Sequence, residues 1–366
     1  MNLLNMGTEL GLTFLFSLCF LFFARKIAKR VGLVDKPDYR KRHQGAIPLV
    51  GGISVFAGIC FAFLITSSYQ PHRALYLFCA GVLVLVGALD DRFDISVKLR
   101  ALVQAVIAII MMIWANNSLI SFGGIIGPVD LNVGPFGYVL TLFAVWAALN
   151  AFNMVDGIAG LLGGLSSVSF GALGIILCLK GQYSLAFWCF AMIAATLPYI
   201  LLNLGLLGRR YKVFMGDAGS TMIGFTVIWI LLATTQGASH ELRPVTALWI
   251  IAIPLMDMVA IMYRRLHKGM SPFSADRQHI HHLIMRAGFS SRQAFVLITL
   301  AAALLAAIGM TGEYLPVIPE WGMMLLFLLA FSAYGYCLKH AWRVARLLRR
   351  LKRRWHNFRS ARGHGI

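Results

Sequence analysis

The chain alternates long apolar runs with short polar interruptions. A membrane crossing needs about 20 apolar residues, fewer where the ends snorkel. Eleven runs qualify, at 8–23, 47–66, 74–89, 98–115, 134–152, 160–179, 183–205, 218–235, 244–262, 294–310 and 321–338. The pattern predicts an all-α polytopic membrane protein of about eleven transmembrane helices. Residues 1–338 form its transmembrane domain, and 339–366 a basic tail.

Because the runs alternate sides, the interruptions can be sorted by charge. Placing the N-terminus on the periplasmic side and the C-terminus in the cytoplasm leaves only Arg73, Lys180 and Arg243 outside, out of 33 basic residues. The cytoplasmic segments are then 24–46, 90–97, 153–159, 206–217, 263–293 and the tail. Every polar constellation able to do chemistry falls among them. The outer loops, with Asp130, Glu241, Glu313 and Glu320, are short and chemically bland. A transporter is expected to carry polar groups near the midplane, so this one-sidedness favours an enzyme working at the cytoplasmic surface.

Composition changes the picture little. Hydrophobic residues make up 59% and charged residues 13%, which excludes a soluble domain. The net charge of +19 is spent on topology and the tail, so nucleic acid is not expected as a partner. The six cysteines sit in apolar runs without paired spacing and read as packing residues. No positive segment precedes the first run and no small-residue cleavage site follows it, so it is expected to remain as a span.

The third run ends in two adjacent carboxylates, Asp90 and Asp91. Like charges at a membrane boundary are costly unless a cation or proton compensates. Consecutive helical residues point about 100° apart, so the two are expected to have separate roles. In NAFNMVDGIAG, Asn150 and Asn153 share a helical face, followed by Asp156 and a glycine turn suited to a phosphate. A capped turn would explain Asp156 equally well. In VFMGDAGS, Asp217 reads either as an N-cap or as part of a metal-phosphate cradle, and Phe214 as an interfacial or base-stacking ring. His279, His281 and His282 stand beside Asp276, Arg277 and Arg286 without the spacing of a zinc site, which suggests a polyphosphate clamp. Asp257, inside the ninth run, is expected to pair with a polar neighbour or with Arg264 or Arg265. Together these groups fit phosphoryl transfer between a soluble nucleotide and a lipid.

Four blocks in this order, GALDDRFD, NAFNMVDGIAG, VFMGDAGS and HIHH, resemble the signature blocks of the polyprenyl-phosphate N-acetylhexosamine-1-phosphate transferases. The resemblance covers nearly the whole chain. HIHH and the basic tail look more like the branch acting on undecaprenyl phosphate with N-acetylglucosamine than the muramyl-pentapeptide branch. It implies transfer of N-acetylglucosamine-1-phosphate from UDP-N-acetylglucosamine to undecaprenyl phosphate in the bacterial inner membrane, with Mg2+ or Mn2+, UMP release and inhibition by tunicamycin. The product would begin O-antigen and enterobacterial common antigen synthesis. It further implies Asp90 at the lipid phosphate, Asp91 and Asp217 at the metal, and Asp91 and Asp156 with Asp90 as catalytic acids. Asn150, Asn153, Phe214, Arg265, His279, His281 and His282 would bind substrate. The family block reads DGxDG, whereas this chain has Ala159 at the second acid. The competing classes are a lipid-linked-sugar flippase and a transferase of another UDP-N-acetylhexosamine. A homodimer is compatible with all of them.

Overall fold

The computed structural model describes residues 3–35, 45–70, 72–236, 241–271, 279–315, 317–340, 343 and 346. The basic segment 36–44, Asp276 and Arg277 of the histidine block, and nearly all of the tail lie outside the described residues.

The apolar runs fold as helices. Eight of them are α1 (Leu3–Val31), α2 (Gly51–Ile65), α3 (Arg73–Phe93), α4 (Val97–Ala115), α5 (Phe136–Met154), α6 (Leu161–Leu179), α7 (Tyr183–Asn203) and α8 (Gly216–Thr235). They are followed by α9 (Pro244–Ile250), α10 (Ala252–His267), α11 (Ile280–Arg286), α12 (Ser291–Tyr314) and α13 (Glu320–Lys339). Among the described residues nine helices are long and apolar enough to cross a membrane, or ten if the bent pair α9–α10 is one span. The chain is therefore a polytopic membrane protein, with nine or ten such helices among its described residues where eleven runs were expected to span. The second run yields only 15 helical residues, about 22 Å at 1.5 Å per residue, short of a ~30 Å core. The all-α reading also misses a two-residue antiparallel ribbon of β1 (Val34–Asp35) and β2 (Ile47–Pro48), in register Val34 to Pro48.

The ninth run breaks because of Pro254. Proline brings no N–H to the carbonyl four residues earlier, and the chain turns by 82° between α9 and α10. The freed carbonyl of Ile250 is taken by the Ser169 hydroxyl at 3.1 Å, so the bend leaves no orphan there.

Helix α8 is the axis of the bundle, buried along nearly its whole length and packed on α2, α3 and α5. Tyr76, Trp188, Phe225 and Trp229 interlock around it, with the Tyr76 hydroxyl 2.7 Å from Thr226 Oγ1. Lys180, Glu241, Arg243 and Glu313 form a separate polar cluster in which Lys180 meets Glu313 at 2.6 Å and Arg243 N–H donates to Glu313 at 3.1 Å. All six cysteines are unpaired.

Candidate active site

The site assembles where the end of α3 meets the start of α8. Asp90 and Asp91 do point apart. Asp90, buried, turns toward α4, where its Oδ1 accepts the Ile95 N–H at 2.8 Å and its Oδ2 accepts the Arg100 guanidinium. The same guanidinium nitrogen reaches Asp217 Oδ2 at 3.1 Å, so Arg100 bridges two carboxylates. Asp91 turns to the first turn of α8. Its Oδ1 accepts the Asp217 N–H at 3.0 Å, and its Oδ2 lies 3.5 Å from the Ala218 nitrogen.

That contact corrects the reading of Asp217 as an N-cap. Met215 holds the cap position and makes no side-chain cap bond, while Asp217 lies inside the first turn. Two of the orphan N–H groups are satisfied from another helix by the Asp91 carboxyl oxygens, set at the positive end of the α8 dipole. Gly216 makes this possible, because its φ is +75° and a Cβ there would stand 2.3 Å from Asp91 Oδ2.

Both asparagines serve the protein's own framework. Asn153 Nδ2 donates to Asp217 Oδ1 at 2.7 Å and to Ser220 Oγ at 2.8 Å, fixing α5 against α8. Asn150 Nδ2 donates to the Trp146 carbonyl at 2.8 Å. The turn after α5 is pinned by buried Asn203, which accepts the Gly160 N–H at 2.6 Å and donates to the Val213 carbonyl at 2.7 Å. Asp156 sits in that turn, and burial, then the charges of Asp217 and Asp91, push its carboxyl up to about 7. Three mutually repelling carboxylates therefore face one region.

The histidines close the other side. Gly157 leaves room for His281, since a Cβ there would lie 2.3 Å from His281 Nε2. His281 stacks on His279 at 5.5 Å with the rings 4° from parallel. Both its ring nitrogens are buried without a hydrogen-bond partner among the described residues. Burial, with His282 and His279 beside it, lowers its pKa to about 3, so it is neutral at pH 7. Two orphaned ring nitrogens mark a place where a polar ligand would be satisfied.

A cavity of about 590 Å³ opens between these groups, walled by Asp90, Arg100, Asn150, Asn153, Asp217, Arg265 and His279. Asp91, Asp156, Phe214, His281 and His282 are outside its lining. The Phe214 backbone bridges to β2, its N–H donating to the Pro48 carbonyl at 2.9 Å, and its ring lies 5.3 Å from Lys212 Nζ. Among the described residues no three acidic, histidine or cysteine side chains form a ready cation cage. The carboxylates of Asp91 and Asp217 are nevertheless hard oxygen donors with lone pairs to spare, and a Mg2+ shell is usually completed by water and substrate phosphate. The donor set fits such an ion.

Sequence reasoning missed Arg100, Ser220 and the partners of Asp257. Arg100 carried a signal, an arginine inside the first turn of an apolar run, which charge sorting absorbed into topology. Asp257 is fully buried and meets His279 Nδ1 at 2.7 Å and the Tyr334 hydroxyl at 2.6 Å. The expected polar pairing is thus met by His279 and Tyr334, which the sequence did not single out as its partners, and not by Arg264 or Arg265.

The family model described as glycosyl transferase family 4 matches residues 73–235, from α3 through α8. A protein of Yersinia pestis is 75% identical over 97% of both chains. One of Escherichia coli K12 is 73% identical over 97% of this chain and 96% of its own. One of Haemophilus influenzae is 54% identical over 95% of this chain and 98% of its own. All three are named undecaprenyl-phosphate alpha-N-acetylglucosaminyl 1-phosphate transferase.

Proposed function

Since the chain belongs to glycosyl transferase family 4, we propose that it transfers N-acetylglucosamine-1-phosphate from UDP-N-acetylglucosamine to undecaprenyl phosphate, releasing UMP. The observation that carries this reading is the cavity between α3, α4, α5 and α10, where carboxylates, Arg100, Arg265 and His279 converge within an apolar bundle. Anionic headgroup and nucleotide both need cations, and the acids suit a divalent ion. The names and identities of the relatives support the same activity.

The chemistry follows from the residues. A phosphate monoester has its second pKa near 6, so the lipid phosphate is mostly dianionic at neutral pH and needs orientation more than a base. Its oxygen attacks the β-phosphorus of the donor as the bond from that phosphorus to the bridging oxygen breaks, and UMP leaves with the electron pair. Asp90, held by Ile95 N–H and Arg100, removes any residual proton or aligns the nucleophile. Arg100 and Arg265 offset phosphate charge within the cavity. Asp91 and Asp217 would hold Mg2+ or Mn2+, which when bound neutralises the leaving phosphate. Orientation follows the basic residues, with this end of the bundle in the cytoplasm and the protein in the inner membrane.

The test is transfer from a panel of labelled UDP-sugars to undecaprenyl phosphate in detergent, with Mg2+, Mn2+ or chelator. Metal-dependent lipid-linked N-acetylglucosamine with equimolar UMP is the expected result. No labelled lipid with any donor would refute the reading. UMP release without lipid, together with a trapped acyl phosphate, would replace direct attack by a double displacement.

A further inference from the structure

His279 sits at the cavity wall with Nδ1 turned away from it, toward a buried acid the reaction does not touch. Asp257 comes from α10, beyond the 82° bend, and is 0% exposed. Its Oδ1 accepts the Tyr334 hydroxyl from α13 at 2.6 Å and the Ile280 N–H at 3.1 Å. Its Oδ2 is left for His279 Nδ1 at 2.7 Å. A carboxylate offers only acceptors, so His279 Nδ1 must bring the proton to this contact. With the tautomer fixed there, Nε2 is the nitrogen left for the cavity. In the neutral ring Nε2 is a lone pair that would repel a phosphate oxygen, and in the imidazolium it is a donor.

The geometry points to Asp257 and Tyr334 as positioning residues that lock the His279 ring and supply its counter-charge, so that Nε2–H is presented to a phosphate oxygen of the substrate. This rests on the phosphoryl-transfer reading above. Three separate elements, α10, the start of α11 and α13, are thereby tied to one ring. The groups facing the ring are Asp257 and Arg265 from α10, Tyr334 from α13, His281 on its own helix, and Asp90, Arg100 and Asp217 across the cavity. Only Asp257 accepts a hydrogen bond from it among the described residues.

The experiment compares Asp257→Asn and Tyr334→Phe with the unsubstituted full chain, in detergent, using UDP-N-acetylglucosamine and undecaprenyl phosphate. Loss of a residue that orients a functional histidine typically costs about 10- to 100-fold, and that fall in kcat is expected for D257N, with KM for the donor within about threefold. Asp257→Glu keeps a carboxylate for Nδ1 and is expected to retain more of kcat than D257N, which a residue needed only for packing would not show. Y334F keeps the carboxylate and is expected to lose less of kcat than D257N. In a His279→Gln background D257N should cost nothing further, because its effect runs through the ring. An unchanged kcat in D257N, or full additivity of D257N and H279Q, would overturn the positioning role alone. An unsubstituted chain that transfers nothing would overturn the functional reading and this role with it. If D257N fails to fold, the kcat of Y334F decides, and a Y334F enzyme indistinguishable from the unsubstituted chain would sink the proposal.

Discussion

Gly87 lies one helical turn before Asp91, where α3 presses on the first turn of α8. A Cβ at position 87 would stand 2.4 Å from the Ala218 nitrogen, 2.5 Å from Ala218 Cα and 2.7 Å from the Asp217 carbonyl carbon. Every one of these is backbone, so no rotamer change can clear it. Ordinary contact begins near 3.4 Å, so Gly87→Ala must push the helices apart by about 1 Å. The Asp91 to Asp217 N–H bond, now 3.0 Å, spans that seam and would be lost. Overpacking of this kind costs about 1–3 kcal/mol of stability. A misplacement of about 1 Å at reacting groups costs about 100-fold in rate. G87A is therefore expected to fold with a lowered Tm and to transfer sugar phosphate about 100-fold more slowly. The control is Gly11→Ala in α1, where an added Cβ meets nothing within 4 Å. Transfer kinetics and thermal unfolding in the same detergent check both variants. A G87A enzyme within about threefold of the unsubstituted kcat would refute the claim that this backbone contact sets the site.

Three further outcomes follow from the same geometry. Arg100→Gln removes the cation bridging Asp90 and Asp217, and a fall in kcat of about 100-fold is expected in steady-state transfer assays, the scale of losing one preorganised electrostatic contact. Asp90→Asn and Asp91→Asn should fail differently: D91N, which loses its charge and leaves one amide oxygen where two carboxylate oxygens accepted the Asp217 and Ala218 N–H groups, should shift the metal concentration for half-maximal rate and lower the Tm, while D90N should alter dependence on lipid phosphate. Identical metal and lipid titrations for both would count against the division. For Asp156, whose carboxyl is raised from 3.8 to about 7, the folded state binds the extra proton between those values. Stability from this group is therefore greatest below about pH 4 and declines as pH rises toward 7. Asp156→Asn should flatten that decline, which unfolding midpoints at pH 5 and pH 8 would reveal.

The polarity pattern made the helices legible because each apolar run is a span in its own right. It could not show that Pro254 would break the ninth run, nor that the second run would lose its first residues to β2 and the bridge to Phe214. The separation of Asp90 from Asp91 was readable from helical geometry alone. What was not readable is the trans-capping by Asp91, the bridge made by Arg100 and the burial of Asp257 against His279 and Tyr334. Each joins residues more than twenty positions apart or replaces a local partner by a distant one, and spacing along a single element carries no such signal. Asn150 and Asn153 show the converse. Their shared face was correctly inferred, but their Nδ2 donors go to Trp146, Asp217 and Ser220 within the protein.

The contact of α2 and α3 with the start of α8 has a mechanical consequence. Cβ atoms added at Gly52 or Gly87 would lie 2.1 and 2.4 Å from α8 backbone nitrogens, so these helices touch main chain to main chain. Side-chain packing gives way by rotamer hops, whereas such a seam has nothing to rotate and is stiff. Any tilt of α8 is passed undamped to Asp217 and to the N–H groups that Asp91 holds. Compliance for admitting a lipid headgroup and a nucleotide must then come from the facing wall of α4, α10 and α11, where long side chains rather than glycines meet the cavity.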